Sequence, residues 1–121
     1  MISDLRLKDN IDDYYAGLDQ VLKLRPVTYT YKPETGLDAT VLRYGMVAQE
    51  IEGVMPDLVQ RGQDKIGSIE LADMRYFDPT NLVFACVNAI KDLKLEIEQL
   101  RAQVEDSRSK AADTQPKASK R

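Results

Sequence analysis

Downstream of Asp78-Pro79, apolar residues return at alternating steps of three and four: Val83, Cys86, Ile90, Leu93, Ile97, Leu100 and Val104. That is a heptad seam, with Val83, Ile90, Ile97 and Val104 at a and Cys86, Leu93 and Leu100 at d. Aspartate as N-cap with proline in the first helical position is a sharp start signal. A helix is therefore expected over residues 79–105, with Lys94, Glu96 and Arg101 on its solvated rim. So short a seam has two readings, a coiled coil between copies or one amphipathic helix laid against its own domain. β-branched residues at a with leucine at d favour two strands. Val87 and Ala89 make an e and a g position apolar as well, a wider face compatible with three chains. Packing rules leave the number open.

Ahead of this helix the periods are short. The expected class is α+β: a small globular region of short helices and β-hairpins, residues 3–78, followed by the long C-terminal helix. Tyr14, Leu18, Val21 and Leu22 share one helical face and Pro26 ends the pattern, which predicts a helix over 13–24. Val27-Thr28-Tyr29-Thr30-Tyr31-Lys32 alternates as a strand does, and Thr40-Val41-Leu42-Arg43-Tyr44 returns as its hairpin partner. Gln49 to Met55 reads as a helix stopped by Pro56, too short to stand unless Ile51, Val54 and Met55 are packed. Leu58–Arg61 and Lys65–Leu71 suggest a second hairpin turning at Gly62-Gln63-Asp64. Small, twisted sheets are expected rather than a large one.

Residues 106–121 lack apolar periodicity and are expected to form a disordered tail, its basic ending merely solvated. A net charge of −3 gives no general attraction to nucleic acid or to an anionic membrane, so neither is an expected partner. Cys86 is the only cysteine, which excludes an internal disulfide framework, and no metal site is expected. With no phosphate or nucleotide motif, neither a cofactor nor a small-molecule ligand is expected. No apolar run is long enough to span a bilayer and no signal pattern opens the chain, so cytoplasmic synthesis is the expectation.

The opening residues carry the chemistry. Ser3 and Lys8 lie five positions apart, and a serine becomes a nucleophile only when a neighbour removes its proton. The chain has no histidine, so a Ser-His-Asp arrangement is excluded and only a lysine held neutral could serve as base. Positions five apart share no face of a regular helix or strand, so these two meet only across a bend or between chains. By spacing alone, Ser3 reads as a turn cap and Lys8 as a solvated surface charge.

Ser3-Asp4-Leu5-Arg6-Leu7-Lys8-Asp9-Asn10-Ile11 resembles the opening of the intramolecular chaperone domains that end phage endosialidases, tailspikes and tail fibres. Arg25 to Lys32, Gly45 to Ile51 and Met55 to Val59 match that family in the same order, and an apolar segment leads to a terminal helix. The same domain type occurs in the myelin regulatory factor, a self-cleaving, membrane-tethered transcription factor. The likeness covers residues 3 to 104. It implies a homotrimer that helps an upstream fibre or spike to fold and then cuts itself off at the Ile2–Ser3 bond, with residues 1–2 the remnant of that upstream segment. Ser3 would be the nucleophile and Lys8 the general base and acid. Asp4, Arg6, Arg43, Gly45, Gln49 and Glu50 stand as support. Arg6 and Arg43 are candidate positive neighbours of Lys8, while Gly45, Gln49 and Glu50 are read first as structural. Some members carry a histidine two residues before the matching glycine, where this chain has Arg43. The implied setting is the host cytoplasm during virion assembly, the domain being shed from the mature particle. A trimerising module without proteolysis, or the self-cleaving domain of a transcription factor, are the alternatives.

Overall fold

The computed structural model describes residues 1–114. In chain order it runs α1 (Leu18–Val21), β1 (Val27–Tyr29), β2 (Arg43–Gly45), α2 (Ala48–Glu52), β3 (Val59–Ile66), β4 (Ile69–Phe77) and α3 (Leu82–Thr114). Single 3-10 turns stand at Leu5–Leu7, Pro33–Thr35 and Pro56–Leu58. β1 and β2 form one antiparallel pair, and β3 and β4 another. This is the α+β architecture that the sequence predicts, with two small sheets and a long final helix.

The core gathers where α2 meets α3. Ile51, Met55 and Leu58 are each 1% exposed and close on Ala85, which is fully buried. Val21, Leu24, Val54, Val59, Phe77 and Leu82 pack around them. A five-residue helix is marginal in water, so α2 persists because its apolar side is buried here. Glu52 ties the same helix to the second hairpin, accepting from Arg61 and, at 3.2 Å, from Arg75.

Three expected elements differ. The helix expected over 13–24 shrinks to Leu18–Val21. Asn88 on α3 donates to the carbonyls of Tyr14 and Ala16, at 2.7 and 2.8 Å, and Leu18 N donates to Asp92 Oδ2 at 3.1 Å. Tertiary partners thus take the backbone groups that a first helical turn would have used, and Gly17, at φ −154 and ψ −139, lies outside the helical region.

The second hairpin turns at Gly67-Ser68 instead of Gly62-Gln63-Asp64, with Ile66 opposite Ile69 and an irregularity in register at Gly62/Asp64. A two-residue connection favours glycine at its first position because φ must be positive there, and Gly67 has φ 59. The tip also docks on the first hairpin's loop, where Ser68 N donates to Glu34 O at 3.0 Å.

The α-helix proper begins at Leu82, because Asp78 first closes a turn by accepting from the amide and hydroxyl of Thr80 at 3.0 and 2.6 Å. It then continues past residue 105 to Thr114. Alanines 111 and 112 are good helix formers, and Lys110–Asp106 (3.0 Å) and Arg108–Glu105 (3.5 Å) pair one turn apart. The rest of the expected tail, 115–121, lies outside the described residues. Among the described residues no helix is long and apolar enough to cross a membrane.

Candidate functional site

The first site begins with a bend. Asp4 caps the turn Leu5–Leu7, its Oδ1 accepting from Arg6 N at 2.9 Å. The Arg6 guanidinium closes on the same carboxylate at 3.1 and 2.7 Å. Those bonds hold the Asp4 carboxyl below the usual range and raise Arg6. Across this turn Lys8 Nζ donates to Ser3 Oγ at 2.8 Å. Two residues on, Asn10 adopts φ 53, a left-handed conformation that asparagine tolerates better than most residues. Every residue from Met1 to Tyr15 is exposed, Ile2, Leu5 and Leu7 included.

The other residues singled out by sequence lie on the first hairpin and α2. Val27 pairs with Gly45, Thr28 with Tyr44 and Tyr29 with Arg43. The Arg43 guanidinium sits 5.0 Å from the centre of the Tyr31 ring, a cation–π distance, and its Nε is buried with no hydrogen-bond partner. Tyr31 meets Tyr29 edge to face at 5.3 Å. Gly45 is small because the Tyr29 ring crosses it: a Cβ there would stand 3.2 Å from Cε1. Glu50 accepts from Arg25 at 2.8 and 2.6 Å, clamping the approach to β1 onto α2, and this lowers the Glu50 carboxyl. Gln49 is exposed and shares with Gly45 the wall of an open cleft of about 690 Å³.

Two clusters result. Ser3, Asp4, Arg6 and Lys8 form one, and Arg43, Gly45, Gln49 and Glu50 belong to the hairpin–α2 face. Among the described residues no hydrogen bond or ion pair joins them. Arg6, expected as a positive neighbour of Lys8, has its guanidinium on Asp4; Arg43 is stacked on Tyr31. No group of three or more His, Cys, Asp or Glu among the described residues could hold a metal.

On α3 the seam stands free. Val83, Ile90, Leu93, Ile97, Leu100 and Val104 are exposed and Cys86 is half-buried. Ala89 differs from its expected place: it is 5% exposed, turned into the chain's own core rather than outward. Sequence reasoning missed Asn88, Asp92 and Asp57. The first two are polar residues four apart on a helix face otherwise lined by Ala85 and Ala89, and that interruption was the available signal. Asp57 accepts from the Tyr14 hydroxyl at 2.8 Å, and partial desolvation of that hydroxyl together with this bond pushes it up to about 12.

Comparison with known proteins gives likenesses over about half of the chain. Residues 3–60 match the family model described as chaperone of endosialidase, which its label classes among peptidases. Over 65 residues the chain is 43% identical to Myelin regulatory factor homolog 1 of Caenorhabditis elegans, covering 48% of this chain and 7% of that protein. Over 66 residues it is 36% identical to Long tail fiber protein Gp37 of Enterobacteria phage K3, and equally to that of phage T2, covering 54% of this chain and 5% of each. The chain spans less than a tenth of the length of these relatives. The matched stretch holds the Ser3–Lys8 bend, the first hairpin and α2. Over residues 3–60, just under half of its length, this chain is similar to the chaperone-of-endosialidase family, and these likenesses together support a chaperone-type domain of the tail-fibre and endosialidase kind.

Proposed function

We propose that the chain is an intramolecular chaperone that gathers as a parallel homotrimer through α3, assists folding of an upstream fibre or spike, and frees itself by cutting the Ile2–Ser3 bond. The observation that carries the reading is the 2.8 Å hydrogen bond between Lys8 Nζ and Ser3 Oγ, made across a capped turn. That distance is the one at which a neutral lysine can take a hydroxyl proton. Ser3 Oγ then attacks the Ile2 carbonyl carbon, and Lys8 returns the proton to the departing nitrogen of Ser3. The C–N bond breaks, leaving an Ile2 ester on Ser3 Oγ that water hydrolyses. Ser3 and Lys8 are exposed in the single chain, so neighbouring copies must exclude water from them.

The exposed seam supports the association. Six of the seven residues at heptad spacing are exposed in the single chain and Cys86 is half-buried, the arrangement that a coiled coil covers. Gathering three chains first spares the slow, non-local β pairing of a fibre the search for register. Cutting then leaves a product that cannot retrace its path, a kinetic form of stability. The work would be done in the host cytoplasm during virion assembly, with the domain left behind.

The test is a precursor carrying the native upstream segment. Wild type should resolve on a denaturing gel into two pieces, the smaller beginning at Ser3 by mass, while Ser3→Ala stays whole. A wild-type precursor that sediments as a trimer yet remains intact would leave only a trimerisation module. A second reading, in which the domain serves an upstream regulatory protein, is favoured by the 43% identity to the myelin regulatory factor homolog. The upstream sequence decides between them.

A further inference from the structure

The circumference of α3 is used unevenly. In the heptad frame, the chain's own globular part packs on the c and g flank: Ala85 at c is fully buried, Ala89 at g is 5% exposed, and Leu82 at g joins the core. The opposite flank is bare. Phe84 at b and Val87 at e are 47% and 46% exposed, and with Tyr15 and Lys91 they line an open groove of about 490 Å³. The outer wall of that groove is Asp13–Tyr15, the root of the segment that bears Ser3 and Lys8. Single exposed apolar residues are ordinary on a protein surface. Here two large ones stand side by side, bordered by a third, next to the seam.

We propose that this groove is an interface between copies, filled by the globular part of the neighbouring chain. The inference rests on the parallel trimer proposed above and adds to it a second contact. In a parallel coiled coil, the e flank of each helix faces the g flank of the next. Each globular part sits on the c and g flank of its own helix, so the coil carries it to the e and b flank of its neighbour. Repeated three times, the contact closes a ring. The groove ends at Tyr15, so the docked neighbour also seats the root of the catalytic bend.

The b position separates this from a bare coil, because b is open to solvent when helices alone associate. Phe84→Cys and Leu95→Cys are made separately in a Cys86→Ala background. Leu95 lies at f, is 55% exposed and serves as the reference. Both variants are reacted with iodoacetamide over a dilution series monitored by sedimentation. The expected result is a Cys at position 84 that reacts freely in monomer and at least tenfold more slowly in trimer, while Cys at position 95 reacts freely in both. A trimer in which the two thiols react alike would overturn this contact and leave the trimer standing. Protection of position 84 already in the monomer would assign the groove to the chain's own N-terminal segment and overturn it as well. Monomer at every concentration would sink the contact together with the reading beneath it. As a second measurement, Phe84→Ser with Val87→Ser should weaken association at least tenfold and leave the monomer's melting unchanged.

Discussion

Asn88 holds Tyr14 across 74 positions of sequence: its Nδ2 donates to the Tyr14 carbonyl at 2.7 Å and to that of Ala16 at 2.8 Å. One amide thereby fixes the segment that carries the N-terminal bend onto the helix that carries the seam. Asn88→Ala removes two hydrogen bonds, one exposed and one half-buried, at a net cost of about 0.5–1.5 kcal/mol each. A fall of several degrees in melting temperature is expected. Asn88→Asp should be worse than alanine, because it sets an acceptor against two acceptors.

Gly67 and Gly36 give a matched pair. Both have positive φ, at 59 and 73, but a Cβ on Gly67 would stand 2.1 Å from Glu34 O, whereas Gly36 faces open space. Gly36→Ala should cost only the left-handed penalty of about 1–2 kcal/mol. Gly67→Ala must also push the hairpin tip off the Pro33–Thr35 turn. It is expected to cost clearly more, and the Ser68 amide should lose its protection from hydrogen exchange. Equal losses for the two variants would contradict the docking.

Tyr14 predicts an alkaline limit. Its hydroxyl, bonded to Asp57, is pushed up to about 12, so the folded state favours the protonated form. The stabilisation is fully present below the ordinary tyrosine value of about 10 and is lost as pH rises towards 12. Denaturant midpoints measured across that window should fall in wild type and fall less steeply in Tyr14→Phe.

Glu50 works in the opposite sense. Its hydrogen bonds to Arg25 lower the carboxyl, so its contribution is present above the ordinary carboxylate range and is lost as pH drops through the depressed value. In a titration followed by NMR, Glu50 should titrate below a typical glutamate, and Arg25→Gln should move it back up. An unchanged midpoint would mean that the clamp is not formed in solution.

Lys8 can be probed with charge held constant. Arginine keeps a donor and a positive charge but does not give up its proton in a protein. Lys8→Arg should therefore abolish cleavage of the precursor as fully as Lys8→Met while trimers still form. Retained cleavage in Lys8→Arg would remove the general base from the mechanism.

The parts legible in the sequence were those set by local pattern. Asp78-Pro79 and the heptad announced α3, and Val27–Tyr29 announced its strand. Pro56 marked the end of the segment buried through Ile51 and Met55. What stayed hidden depends on distant partners. The helix expected over 13–24 has a sound apolar period, yet Asn88 and Asp92 claim its backbone groups from 74 residues away. The hairpin turn was misplaced because Gly62 and Gly67 are equivalent as letters, and only the second meets Glu34. At the site, the contact of Ser3 with Lys8 needed a bend, and its signal was Asp4, an N-cap residue two positions before Arg6. Ala89 could not be assigned a side without knowing which flank the core would occupy.

From Ile90 to Asp113 every residue of α3 is exposed in the single chain. Most helical stability in proteins comes from packing of an apolar face, which this stretch lacks in the single chain. Its winding is therefore a gauge of company. Dilution should unravel the far end first, before the hairpins notice, so the circular dichroism of one sample would read out how many siblings each molecule has met.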